Sequence, residues 1–189
     1  IAAGVGDLTN APAPPATSMA QDETALANYI ARYTDFFAPD ALSGLRIGVY
    51  EHSSAARACL GTILSALGAQ VVPLGRSETF VPVDTEALDS DTQAMLAGWA
   101  KEHALDAIVS TDGDADRPML ADASGAIIPG DRLGPMTAQA LGARTLVTPV
   151  SSNTLTDAMG DVTVHRTRIG SPYCIAGIGS APADGATAG

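Results

Sequence analysis

Between residues 45 and 110, three short apolar runs alternate with two stretches whose apolar residues recur at helical spacing, and few folds accept that order. The runs cover residues 45–50, 70–74 and 106–110. Residues 54–67 place Ala56, Leu60, Ile63, Leu64 and Leu67 on one helical face, with Gly68 as the C-terminal cap. Ser90-Asp91-Thr92-Gln93 has the form of a capping box and opens a helix through His103, with Met95, Leu96 and Trp99 facing inward. Strands joined through helices lie parallel, so the pattern predicts an α/β fold: a mixed, mainly parallel sheet with flanking helices. Pro73 lacks a ladder donor, which makes 70–74 a short or edge strand.

The flanks extend the pattern. Leu26, Tyr29, Ile30, Tyr33 and Phe36 predict a helix over 22–37, stopped by Pro39, and residues 75–89 are mostly a long loop. Residues 119–121 and 126–128 flank Asp122-Ala123-Ser124-Gly125 as a hairpin. A helix is expected over 131–141, capped by Asp131, carrying Leu133, Met136 and Ala140 and ending at Gly142. A second strand–helix–strand unit follows at 144–150, 153–159 and 162–166; Ser171 then caps a last helix with Pro172 in its first turn. The expected division is 1–40 as a linker and the end of a preceding domain, 41–142 as one complete domain, 143–178 as part of a second, and 179–189 as an ill-defined tail.

The chemistry concentrates in Thr111-Asp112-Gly113-Asp114-Ala115-Asp116-Arg117, directly after the 106–110 run. In an extended segment, side chains at i, i+2 and i+4 share one side, so Asp112, Asp114 and Asp116 are expected to converge. Like charges about 4 Å apart repel by roughly 1 kcal/mol in water and several times more when partly buried. A cation relieves this, and oxygen-only ligands select a hard one: Mg²⁺, Ca²⁺ or Mn²⁺. A calcium loop of the helix-loop-helix type needs glycine at its sixth position and glutamate at its twelfth, where Arg117 and Ala123 stand. A solvated acidic turn leaves the strict spacing after a buried strand unexplained. A divalent metal beside a phosphate accounts for both, with Arg117 offering the planar fork that suits phosphate oxygens.

Composition narrows the partners. A formal charge of −11 and a pI near 4.4 argue against nucleic acid and anionic membranes, and no apolar run is long enough to cross a bilayer. Cys59 and Cys174 lack C-x-x-C spacing and fit a reduced, cytoplasmic setting. The chain begins at Ile1 without a signal-peptide pattern, and it reads as a piece of something longer. Among other candidates, His52-Ser53-Ser54 reads as a helix cap, Ser151-Ser152 as a turn and cap, and Arg76 stays unassigned.

The Thr-Asp-Gly-Asp-Ala-Asp-Arg loop resembles the metal-binding loop of the α-D-phosphohexomutases, the phosphoglucomutase/phosphomannomutase superfamily. Asp122 and Gly125 as a turn and Gly130-Asp131-Arg132 as a helix start look like that superfamily too. His165-Arg166-Thr167-Arg168-Ile169-Gly170-Ser171 is similar to the substrate loop of its third domain. The likeness covers roughly residues 20 to 178.

The resemblance implies an enzyme that moves phosphate between the 1- and 6-positions of a hexose through a phosphoserine and a bisphosphate intermediate. It implies Mg²⁺ on Asp112, Asp114 and Asp116, the transferring phosphate on Arg117, and hexose phosphate contacts at Arg168, Gly170 and Ser171. On this mapping 41–142 is the metal-binding domain, 143–178 is part of a substrate-binding one, and further domains of the same polypeptide are partners. The superfamily's Thr-Ala-Ser-His-Asn-Pro serine loop and Gly-Glu-x-Ser-Gly sugar motif are absent from these 189 residues, which are therefore expected to lack mutase activity alone. A different class also fits the residues: a non-catalytic metal-binding or interaction module of the same fold. The choice between mannose and glucose stays open.

Overall fold

β1 (Arg46–Tyr50) is buried over its last four residues because both of its edges are paired and both faces are covered. It runs parallel to β2 (Gln70–Leu74) on one side and to β3 (Ala107–Thr111) on the other, with Gly48 opposite Val72 and Ile108. The computed structural model describes residues 22, 24–181 and 187–188 of the chain. In it, β3 pairs antiparallel with β4 (Pro118–Ala121) and β4 with β5 (Ile127–Ile128), giving the order β2-β1-β3-β4-β5. The sheet is mixed, as the alternation implied, and Pro73 lies exposed on edge strand β2. Leu74 and Leu105 pack closely over Gly48: a Cβ there would lie 2.7 Å from the Cδ1 of each, so both side chains would have to shift.

Helices cover the sheet. α2 (Arg57–Ala66) buries Ile63, and α3 (Ser90–Glu102) buries Leu96 and Ala100. Leu96 and Ala100 join Tyr50, Leu74, Leu105 and Ile108 in the main core, against which Met95 and Trp99 pack. The cap of α3 sits one residue before the expected box: Asp89 accepts from Thr92 N at 2.7 Å and from Thr92 Oγ1 at 3.1 Å. α1 (Thr24–Thr34) packs along α2 and stops short of the expected Phe37; Phe36 and Phe37 follow it exposed.

α4 (Gly130–Ala140) leads into a second sheet. There β6 (Thr145–Pro149) pairs in parallel with β7 (Thr163–Thr167) and with the two-residue β8 (Thr187–Ala188). α4 differs from its reading in two ways. Pro129 rather than Asp131 is the N-cap, and Pro135 and Ala138 are buried while Met136 is half exposed. Ala138 packs with Ala143 and Leu146, which turns the small side chains inward. A 3₁₀ turn, Thr154–Ala158, stands where a short helix was expected, and α5 (Ser171–Ser180) follows β7 with Gly170 as its N-cap. The linker reading of residues 1–19 lies outside the described residues. So does most of the 179–189 tail, although α5 reaches Ser180 and β8 pairs with β6.

Candidate metal centre

β3 brings the acidic loop to the carboxyl end of its sheet, where open α/β folds place their ligands. Ser110 Oγ donates to Tyr50 O at 2.6 Å and ties the strand end to β1. The loop itself is bent rather than extended. Asp112 N donates to Arg117 O at 3.1 Å, and Ala115 takes a φ of +68°. The three carboxylates therefore meet through closure of a tight loop, not through the alternation that suggested them. Oxygens of Asp112, Asp114 and Asp116 lie within 4.8 Å of one another.

The three carboxylates are not equivalent. Asp112 is buried; its Oδ1 accepts from the backbone N–H of Asp116 at 3.1 Å and of Arg117 at 3.2 Å, and its Oδ2 from Arg117 Nε at 2.8 Å. Burial pushes this carboxyl up, but the hydrogen bonds and charge of Arg117 outweigh it and hold the group down at about 2. Asp114 and Asp116 are exposed. Asp116 is pushed above the ordinary carboxylate range, first by its hydrogen bond with the Asp112 carboxyl and then by the negative charge of Asp114. A carboxylate has about four lone-pair sites, so the three hydrogen bonds on Asp112 leave room for one cation contact. Oxygen donors, one fixed and two free to adjust, suit a hard divalent cation.

Arg117 is half exposed and surrounded by acids. Beyond Asp112, its guanidinium lies 3.3 Å from Asp84, 3.6 Å from Glu86 and 3.8 Å from Asp116. Asp84 and Glu86 belong to the 75–89 loop, whose Phe80, Val83 and Leu88 also wall a cleft of about 660 Å³ beside Asp112, Asp114 and Arg117. Arg76, unassigned from sequence, pairs with Glu51 at 3.3 Å and Glu78 at 3.5 Å.

The other expected site residues lie elsewhere. Gly170, at a φ of +129°, and Ser171 form the start of α5, and Arg168 stacks over the Tyr173 ring 5.8 Å from its centroid. None of the three lines the cleft beside the aspartates. Sequence reasoning missed the polar layer under the loop. His52 is fully buried with Nε2 2.8 Å from Thr111 O, and Ser54 Oγ lies 2.6 Å from Thr111 Oγ1. Ser54 also accepts from Ala56 N at 3.0 Å, but α2 starts only at Arg57, so the capping reading described the smaller part of its role. The one signal was the position of His52-Ser53-Ser54, straight after an apolar strand.

Residues 27–125 match phosphoglucomutase/phosphomannomutase, alpha/beta/alpha domain II. The chain belongs to the phosphoglucomutase/phosphomannomutase family. It is 54% identical to a phosphomannomutase of Sinorhizobium fredii over 157 residues, which cover 83% of this chain and 33% of that protein. It is 49% identical to a phosphomannomutase of Salmonella muenchen over 154 residues, 80% of this chain and 32% of the other. The chain thus spans about a third of the length of these curated relatives. A phosphoglucomutase/phosphomannomutase family protein of Burkholderia thailandensis shares the fold, with a TM-score of 0.66 at 17% identity over 82% of this chain and 35% of that one. The acidic loop falls inside the residues that match domain II.

Proposed function

We propose that this chain supplies the metal- and phosphate-holding part of a phosphohexomutase that acts on mannose or glucose phosphate. The observation that carries the proposal is one closed loop that gathers three carboxylates and hands the first of them to Arg117. Asp112, Asp114 and Asp116 would hold Mg²⁺, which when bound neutralises charge on a transferring phosphoryl group. Asp112 fixes the Arg117 guanidinium through Nε, which leaves the Nη groups as a fork toward phosphate oxygens in the cleft. An incoming phosphate competes with Asp84 and Glu86 for that fork, so the 75–89 loop moves with substrate binding.

Arg168, Gly170 and Ser171 are assigned to the sugar phosphate, with the backbone amides of Gly170 and Ser171 as anion donors, since Pro172 has no N–H and the Tyr173 and Cys174 amides donate to Gly170 O. Residues 41–142 form the metal-binding domain and 143–178 part of the substrate domain; the phosphoserine comes from another domain of the same polypeptide. The setting is cytoplasmic. Cys59 and Cys174 are free thiols, and among the described residues no helix is long and apolar enough to cross a membrane.

The test is turnover by the longer polypeptide that carries this segment, with intact-mass analysis for one phosphate on serine. Interconversion of hexose 1- and 6-phosphates, lost on Asp114→Asn, is expected. A phosphate-free polypeptide that binds Mg²⁺ but turns over no hexose phosphate would instead support the non-catalytic module. Turnover by the 189-residue chain alone would overturn the assignment of the phosphoserine to another domain.

A further inference from the structure

His52 lies under the acidic loop in a costly arrangement. Its side chain has 0% exposure, and its backbone φ is +29°, in the left-handed region that a residue with a Cβ rarely takes. A carbonyl oxygen only accepts, so Nε2 carries the proton and donates to Thr111 O at 2.8 Å. Nδ1 is then a bare acceptor, and among the described residues it meets no hydrogen-bond partner. A buried polar atom without a partner and a strained backbone both oppose folding, and such features persist where the surroundings over-determine them. Neither is needed to cap α2, because Ser54 and Ala56 already open it.

What the arrangement accomplishes is a three-point clamp. His52 holds Thr111 O, Ser54 Oγ meets Thr111 Oγ1 at 2.6 Å, and Ala55 N donates to Gly113 O at 3.0 Å. The main chain on both sides of Asp112 is thereby tied to the β1–α2 turn. His52 O also accepts from Ser77 N at 2.9 Å, so the same residue anchors the start of the loop that carries Asp84 and Glu86. We propose that His52 is a positioning residue for the metal loop, setting from below the direction in which Asp112 presents its carboxylate. The inference rests on the metal reading above, and it places outside the Asp-Gly-Asp-Ala-Asp stretch a residue on which cation affinity depends.

Two variants isolate the donor. In His52→Gln the side-chain amide nitrogen stands as many bonds from Cα as Nε2 and can still reach Thr111 O. In His52→Asn it stops at the position of Nδ1. Both lose the ring, and Asn is one methylene smaller and suits the left-handed φ better than Gln, so the hydrogen bond is read at the loop itself rather than from overall stability. Two measurements are made on the 189-residue chain: Mn²⁺ affinity by electron paramagnetic resonance, and metal-free hydrogen exchange at the Asp116 and Arg117 amides that donate to Asp112. The expectation is that His52→Asn weakens Mn²⁺ binding about tenfold and speeds exchange at both amides by a similar factor, the effect of losing one buried hydrogen bond. His52→Gln stays close to the parent chain in both. Equal values for the parent chain and His52→Asn, or equal losses in the two variants, would overturn the positioning role. A parent chain that binds no Mn²⁺ sinks the metal reading instead, and the metal-free exchange comparison still decides whether His52 shapes the loop.

Discussion

Asp112→Asn separates the two tasks that the geometry gives this carboxylate. The amide keeps an oxygen for the N–H groups of Asp116 and Arg117, but it turns an NH₂ toward Arg117 Nε, which now stands 2.8 Å from Oδ2. Hydrogen bonds to charged groups contribute about 1.5–3 kcal/mol. The lower end applies, because Arg117 is 43% exposed and keeps Asp84 and Glu86 as partners. A loss of about 1.5 kcal/mol in a chain of this length lowers Tm by roughly 3–6 °C without metal. Mg²⁺ at a hundredfold excess over its Kd adds about 2.7 kcal/mol to the parent chain. That increment is lost in Asp112→Asn. Asp114→Asn gives the contrasting pattern. Among the described residues the Asp114 side chain makes no hydrogen bond and stands exposed beside two other acids. Its removal leaves the metal-free Tm unchanged or raises it, and still abolishes the Mg²⁺ increment. Thermal melts in chelator and in excess Mg²⁺ read all four values. A metal-free Tm for Asp112→Asn equal to the parent's, or a full Mg²⁺ increment in Asp114→Asn, would refute the division of labour.

Three further outcomes follow from the same structure. Asp112 is held at about 2 when folded, below its unfolded value, so its contribution to metal-free stability is complete above the ordinary carboxylate range. It is lost as pH falls toward 2, and acid melts of Asp112→Asn therefore show a shallower loss of stability than those of the parent chain. Gly125, at a φ of +81°, has room for no Cβ, which would lie 2.5 Å from Ala97 Cα and 2.6 Å from Ala97 N. Backbone strain of roughly 1–2 kcal/mol plus overpacking of roughly 1–3 kcal/mol makes Gly125→Ala cost about 3 kcal/mol by denaturant unfolding. Leu96 is fully buried in the main core, and Leu96→Ala costs about 2–5 kcal/mol in the same assay.

The elements that could be read from sequence are those whose burial follows a simple period. β1, α2 and β3 each carry such a pattern; β1 and β3 lie within one residue of where it put them, while α2 starts later than expected, at Arg57. The misreadings arise where a neighbouring residue competes for the same role. Met136 has the spacing of a core residue, yet Ala138 faces inward because Ala143 and Leu146 wait there. Ser90 looks like a cap, but Asp89 accepts more strongly and sits one residue earlier. The acidic trio was legible because its charges repel unless something gathers them. Its supports were not, since the His52–Thr111 bond joins residues 59 apart and carries no local signature. Asp84 and Glu86 were hidden for the same reason: only the fold brings the 75–89 loop onto Arg117.

The central claim is that Asp112, Asp114 and Asp116 share one divalent cation, and anomalous diffraction from crystals soaked in Mn²⁺ addresses it most directly. The account predicts a single strong peak bracketed by the three carboxylates, with Arg117 still bonded to Asp112. A well-ordered loop with no peak between those side chains, or the three carboxylates turned apart into solvent, would contradict it.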